Sequence, residues 1–252
     1  MQNRTRQAGT ARVLLLQRVT VFRDLPPTVL ERIEVACTHH NTRDDERIFM
    51  EGDPGDAVYA ITGGEGRVKI SSVSRNSKAL LAQVFGVGEI FGEIAVIDGK
   101  TRTAQATTEG RIQLLRMPGS VFLHALTTQP EVGAALCRAL SERLRRTYAL
   151  LEDATFEPVE VRFARQVLYL ARSGSRPTEQ GLRLIGRFRQ SDLADLLGTT
   201  TRSIITILNT WRAGGIVIYD AERGLLTIAR HKVLESLVSG EIQPGNIPPP
   251  SA

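Results

Sequence analysis

Cysteine is scarce in this chain of 252 residues, with only Cys37 and Cys137, far apart and outside any CxxC or His-rich setting. That pattern argues against a zinc or iron–sulfur site, and both side chains read as reduced and structural. Long apolar runs are also missing. The VLLL near the amino terminus is too short for a signal-peptide core or a membrane span, so a soluble, cytoplasmic protein without a membrane partner is expected. No metal cluster, paired catalytic carboxylates or nucleophile beside a base stands out, so no catalytic or metal-binding residue is assigned and no enzyme is expected. Charge of neither sign dominates: 32 Lys and Arg against 27 Asp and Glu give +5 and a pI near 9.6. That excess points mildly to a polyanionic partner.

What is present falls into distinct textures. After a polar, basic arm over residues 1–10, VLLLQRVTVF and LPPTVLERIEVAC carry short helical spacing, with Pro26 and Pro27 opening the second helix. From 47 to 117 the runs RIFM, AVYAI, RVKI, LLAQVF and RIQLLRM alternate with period 2 and are cut by EGDPGD, GGEG and GVGE. An antiparallel sandwich or jelly roll is predicted. From Ala134 to Glu157 there is neither glycine nor proline, and Cys137, Leu140, Leu144, Thr147, Leu151 and Ala154 alternate spacings of three and four. Such a seam predicts a long helix that pairs with a second copy of itself. Pro158 should end or kink it near Phe156.

Beyond the proline, VEVRFARQVLYLAR has helical period and SGSRPTEQG reads as a solvated turn. RFRQSDLADLLGTTTRSIITILNTWRAGG then reads as two helices about a tight turn. Ser191 or Gln190 begins the first, Gly198 supplies a left-handed stop, and Thr199 or Thr200 caps the second. Ile204, Ile207, Leu208 and Trp211 form its buried stripe. The outward face, with Thr201, Arg202, Ser203, Ile205, Thr206 and Asn209, is short, polar and basic, as a helix entering the DNA major groove requires. Arg202 suits guanine O6 and N7, and Ile205 a thymine methyl. IVIYD, AERG and LLTIA predict a wing whose Arg223, with nearby Lys232, can meet phosphate. QPGNIPPPSA predicts a flexible tail.

The stretch FGEIAVIDGKTRTAQA, residues 91–106, places one Glu and one Arg in a glycine-punctuated loop between apolar runs. A salt bridge between Glu93 and Arg102 would account for it; so would a bound phosphodiester and sugar. In the second case Gly92 allows close approach, Arg102 pairs with phosphate, Thr103 adds a hydroxyl and Glu93 accepts from a ribose hydroxyl. The stretch is similar to the phosphate-binding cassette of cyclic-nucleotide-binding domains. With EGDPGD, the long helix and the terminal helix-turn-helix in this order, residues 15–235 resemble the cyclic-AMP receptor protein and fumarate-nitrate regulator (Crp/Fnr) superfamily.

The resemblance implies an α+β chain: an arm and cyclic-nucleotide-binding β-roll over 1–130, a dimerisation helix and hinge over 131–157, a winged helix-turn-helix over 158–240 and a tail over 241–252. It implies that Gly92, Glu93, Ile94 and Ala95 line ribose and phosphate, that Arg102 and Thr103 hold the phosphate, and that Thr147 contacts the base. Tyr148 replaces the serine of the cyclic-AMP receptors, so cyclic AMP is the expected allosteric ligand with cyclic GMP as the alternative, and no other cofactor is expected. Where receptors of TGTGA-like half-sites carry an Arg-Glu and a further Arg, this chain has Thr201, Arg202 and Thr206, so a different operator is expected. Gln190, Thr200 and the outward face named above are its expected DNA contacts. The implied partners are palindromic double-stranded DNA with half-sites one helical turn apart, a second copy of the chain and, for an activator, RNA polymerase. His39 and His40 read as exposed turn residues rather than haem ligands.

Overall fold

The computed structural model describes residues 14–73 and 79–246. The expected arm over 1–10 and the end of the tail lie outside the described residues. Two compact units are present, one within 1–72 and 83–145, the other within 73–82 and 146–252.

In the first unit, Pro26 caps helix α1 (Pro27–Val35) and Pro27 occupies its first turn, where a missing N–H costs nothing. Strands β1 (Thr38–Asn41), β2 (Arg47–Phe49), β3 (Ala57–Gly64), β4 (Arg67–Val73), β5 (Ala79–Phe85) and β6 (Ile90–Phe91) follow. Helix α2 (Glu93–Asp98) then precedes β7 (Gln105–Glu109) and β8 (Ile112–Pro118). They form two four-stranded sheets, ordered β1-β8-β3-β6 and β2-β7-β4-β5, the sandwich that the period-2 runs predict.

The two-residue period assigns each side chain to a layer. Ile61 and Leu114 join Phe49, Val68, Phe85 and Phe91 in a core contributed by both sheets. Their chain neighbours Ala60 and Leu115, with Val58 and Met117, belong instead to a core with Leu30, Ile33, Phe122 and Leu136. Each fully buried Phe or Leu contributes about 1.5–3 kcal/mol of transfer free energy. Strand β1 corrects the sequence reading. His39 and His40 are exposed, but they pair with Leu115 and Leu114 in an edge strand rather than forming a turn. All four side chains of that strand are exposed, so it carries no apolar alternation.

Helix α3 (Gly119–Thr128) leads into the 27-residue helix α4 (Pro130–Phe156). Its first turns bury Val132, Ala135 and Leu136, and Leu140 packs half-buried on the same core. Leu140 therefore also contacts the core of its own chain. Cys137, Leu144, Thr147 and Leu151 are exposed, Leu144 at 55% and Leu151 at 64%; the Ala154 side chain lies outside the described set. The helix ends at Phe156, and Pro158 becomes the N-cap of α5 (Val159–Ser173), as a proline without a donor requires.

The second unit continues through β9 (Ser175–Thr178), β10 (Gly181–Leu184), α6 (Gln190–Leu197), α7 (Thr201–Ala213), β11 (Val217–Asp220), β12 (Leu225–Ile228) and α8 (His231–Val238). The predicted wing is present as β11 and β12, but it belongs to a four-stranded sheet, β11-β12-β10-β9. The solvated turn expected over SGSRPTEQG is instead hairpin β9–β10, in which Leu182 pairs with Ile228 of the wing. Its polar residues hide the alternation, and the pairing partners lie 44 and 46 positions away in sequence. Gly181 has φ 127°, and a Cβ there would collide with the Ile228 carbonyl. Residues through Asn246 remain attached: the Gly245 N–H donates to Glu160 Oε2 at 2.8 Å.

Candidate functional site

The loop of the first unit that precedes β3 is laced to the loop after α2. Gly52 N–H donates to the Arg102 carbonyl at 2.9 Å, Arg102 N–H donates to the Asp53 carbonyl at 2.8 Å, and Pro54 and Thr101 form a β-bridge. EGDPGD and the FGEIAVIDGKTRTAQA stretch thus make one structure. Gly92 has φ 78°, and a Cβ there would lie 2.9 Å from Arg102 Nη1, so only glycine suits the position. Ala95 is buried against Gly55, where a Cβ would come within 2.6 Å of its own. The loop closes down because both residues are small.

Arg102 points inward, its side chain only 1% exposed. Nη1 donates to the Gly92 carbonyl at 2.5 Å and Nη2 to the Ala57 carbonyl at 2.7 Å. The guanidinium lies 4.4 Å from the Phe49 ring centroid and 5.9 Å from that of Tyr59, which stacks on Phe91. Asp56 stands 3.5 Å from Nη2, and Nε has no hydrogen-bond partner among the described residues. Removal from water lowers the Arg102 pKa from its ordinary value, against the pull of Tyr59 and Asp56.

Glu93 is equally buried, at 2%, and does not pair with Arg102 in the manner of the simple salt bridge considered from sequence. Its Oε1 accepts from Arg143 Nη1 at 2.5 Å, and Arg143 also donates to the Ile90 carbonyl at 2.8 Å while lying over Phe85. Burial pushes the Glu93 carboxyl above its usual value, and Arg143 opposes this. Gly92, Glu93, Ala95 and Arg102 are thus gathered in one place. Ile94 is 48% exposed, Thr103 is exposed, and in the second unit Thr147 and Tyr148 are exposed on α4.

The second unit holds the other candidate surface. Helix α6 starts at Gln190 and ends at Gly198, whose φ of 59° is the left-handed stop. Three residues later α7 begins, capped by Thr200, whose Oγ1 accepts from Ser203 N–H at 3.1 Å. Ile204, Leu208 and Trp211 are buried, and Ile207 is half-buried. Trp211 stacks on Phe163 at 4.7 Å and donates Nε1–H to Glu160 Oε1 at 2.8 Å. With that face anchored, Thr201, Arg202, Ile205, Thr206 and Asn209 are exposed, Ser203 and Gln190 are half-buried, and Thr200 is exposed. The Thr206 hydroxyl donates to the Arg202 carbonyl of its own helix at 3.0 Å. In the wing, Arg223 sits 3.9 Å from Asp220.

Family models match both surfaces: the cyclic nucleotide-binding domain over residues 39–129 and the Crp-like helix-turn-helix domain over 161–237. The chain belongs to the Crp/Fnr superfamily. This Crp/Fnr protein accordingly is a DNA-binding transcription regulator with a cyclic nucleotide-binding domain. It is 28% identical to a CRP-like cAMP-activated global transcriptional regulator of Mycobacterium tuberculosis over 217 residues, 83% of this chain and 96% of that one. To the cyclic AMP receptor protein of Thermus thermophilus it is 27% identical over 223 residues, 87% and 97% of the two chains. Among solved structures, the c-di-GMP responsive global regulator CLP of Xanthomonas campestris matches with a TM-score of 0.68 at 22% identity, covering 81% of this chain and 99% of that one. At that identity the likeness concerns the fold.

Three residues around Glu93 and Arg102 escaped the sequence reading of this Crp/Fnr protein. Arg143 lies off the seam positions, and nothing local ties it to Glu93, fifty positions earlier. Asp56 and Phe49 lie in or beside EGDPGD, but which of the loop's acidic groups and neighbouring rings meets Arg102 is a tertiary fact. Among the described residues no helix is long and apolar enough to cross a membrane.

Proposed function

We propose that this protein is a cytoplasmic, non-enzymatic, homodimeric regulator that binds sequence-specific, palindromic DNA under the control of a cyclic nucleotide. The observation that carries the reading is the buried Arg102 guanidinium, seated on an aromatic floor beside Gly92, its Nε without a hydrogen-bond partner among the described residues. A desolvated cation needs an anion, and a phosphodiester supplies one without the cost of burying a second side-chain charge. Gly92, Glu93, Ile94 and Ala95 would line ribose and phosphate, Arg102 and Thr103 would hold the phosphate, and Thr147 and Tyr148 would meet the base. Glu93, acceptor-only when ionised and held by Arg143, suits a ribose hydroxyl. Cyclic AMP is the favoured ligand, in keeping with the cAMP-activated relatives, and cyclic GMP is the alternative.

The exposed apolar side chains Leu144, Tyr148 and Leu151 support pairing of α4 with a second copy. Ligand binding would then shift the helix pair and reorient the helix-turn-helix surfaces through the break at Phe156–Pro158. Arg202 and Ile205 would read base edges, supported by Gln190, Thr200, Thr201, Ser203, Thr206 and Asn209. For an activator, RNA polymerase is a further partner. A ligand that raises operator affinity ~100-fold must favour the DNA-competent state by about 2.7 kcal/mol.

A second reading has an observation of its own: both terminal nitrogens of Arg102 already donate to carbonyls. A pocket satisfied in this way fits a ligand-independent regulator with a vestigial or differently specific sensor. Operator affinity measured with and without cyclic AMP, cyclic GMP and cyclic di-GMP decides between them. Under the first reading one nucleotide tightens binding and Arg102→Ala abolishes that response while folding is kept; equal affinity throughout establishes the second.

A further inference from the structure

Asp56 stands between two arginines of unequal burial. Its Oδ2 accepts from Arg116 Nη2 at 2.6 Å, whereas its Oδ1 is 3.5 Å from Arg102 Nη2. The Arg116 side chain is 37% exposed and that of Asp56 60%, against 1% for Arg102. Arg116 reaches this position because β8 pairs it in register with Tyr59 of β3. Residues two apart share a face, so Arg116 lies on the side of Leu114, and Tyr59 on the side of Ile61. That is the layer whose Phe49 and Tyr59 rings carry the Arg102 guanidinium.

The carboxylate is thus close and well bonded to the exposed arginine, and at the edge of contact with the buried one. A phosphate arriving at Arg102 competes with Asp56 for the same positive charge. We propose that Arg116 is a positioning residue for the nucleotide site: by holding the Asp56 carboxylate back from Arg102, it sets how much of that charge is left for the phosphate. The inference rests on the cyclic-nucleotide reading of the pocket and adds to it a residue whose own contact with ligand is not required. Without Arg116, Asp56 closes on Arg102 and the nucleotide is held more weakly. Without the Asp56 charge, Arg102 is fully available and Arg116 has nothing left to restrain.

The test is a double-substitution cycle on the full-length protein, titrated calorimetrically with cyclic AMP and with cyclic GMP. Arg116→Gln should weaken binding about two- to fivefold, the range spanned by exposed ion pairs, and Arg116→Lys should restore most of it. Asp56→Asn should tighten binding by a similar factor, and in that background Arg116→Gln should change nothing. An equal loss from Arg116→Gln in both backgrounds would mean that Arg116 acts on the ligand directly and would overturn the proposal. So would an Asp56→Asn variant that binds no more tightly than wild type, a result that stands even if Arg116→Gln fails to fold. Wild-type protein that binds neither nucleotide defeats the reading of the pocket itself, whereas tight binding with additive effects defeats only the role of Arg116.

Discussion

The Arg102 region and the helix-turn-helix are built by opposite means. In the helix-turn-helix, the turn and its caps are local: Thr200 caps Ser203, Gly198 stops α6, and Ile204, Leu208 and Trp211 recur at helical spacing, with Trp211 alone of these reaching back to Phe163 and Glu160. Around Arg102 the contacts are remote, joining Arg102 to Ala57, Glu93 to Arg143 and Asp56 to Arg116 across 45, 50 and 60 positions. The helix-turn-helix leaves the outward side chains of α7 in water on an anchored helix. The pocket takes its charges out of water and must find each a partner. An exposed polar face can be written along one helix; a buried cluster of charges has to be assembled from several strands.

The contrast can be attacked at its strongest point first. Trp211 is fully buried, stacked on Phe163 and bonded to Glu160, so Trp211→Ala should lower stability by about 3–5 kcal/mol. Denaturant titration followed by far-ultraviolet circular dichroism checks this, and a loss below 1 kcal/mol would show that the stripe is not what anchors α7. Thr200→Ala tests the local cap and should cost about 1 kcal/mol, with Thr200→Ser recovering most of it.

The smallest effect belongs to the pocket and shows as a pH slope. The Glu93 carboxyl is pushed above its ordinary 4.5 by burial. Between that value and the raised one the folded state holds a proton that the unfolded state has lost, so stability contributed by the protonated group falls as pH rises through this window. Glu93→Gln cannot titrate, and the wild-type minus variant difference in unfolding free energy should therefore decline with rising pH from about 4.5. A difference that instead grows with pH would mean that Arg143 outweighs desolvation.

Legibility followed the same division. Gly198, Thr200, Gly92, the break at Pro158 and the sandwich all announce themselves through backbone requirements or short periodicity. The buried orientation of Arg102 followed from pairing a cation with a glycine-rich turn. Arg143 was hidden because a charge on a helix flank looks the same whether it faces water or a carboxylate from another element. Hairpin β9–β10 was hidden because its strand character comes from Ile228 and Thr227 across the sheet rather than from its own polar residues. Leu140 fits a seam by spacing, yet it also packs half-buried on the core of its own chain, a contact that spacing does not reveal.

Trp211 is also the only tryptophan in the chain. Its indole emission therefore comes from one place, an enclosed ring held between a phenyl group and a carboxylate in the interior of the winged-helix unit. Selective excitation gives an intrinsic optical readout of that unit's integrity, free of any signal from the β-roll and needing no attached dye.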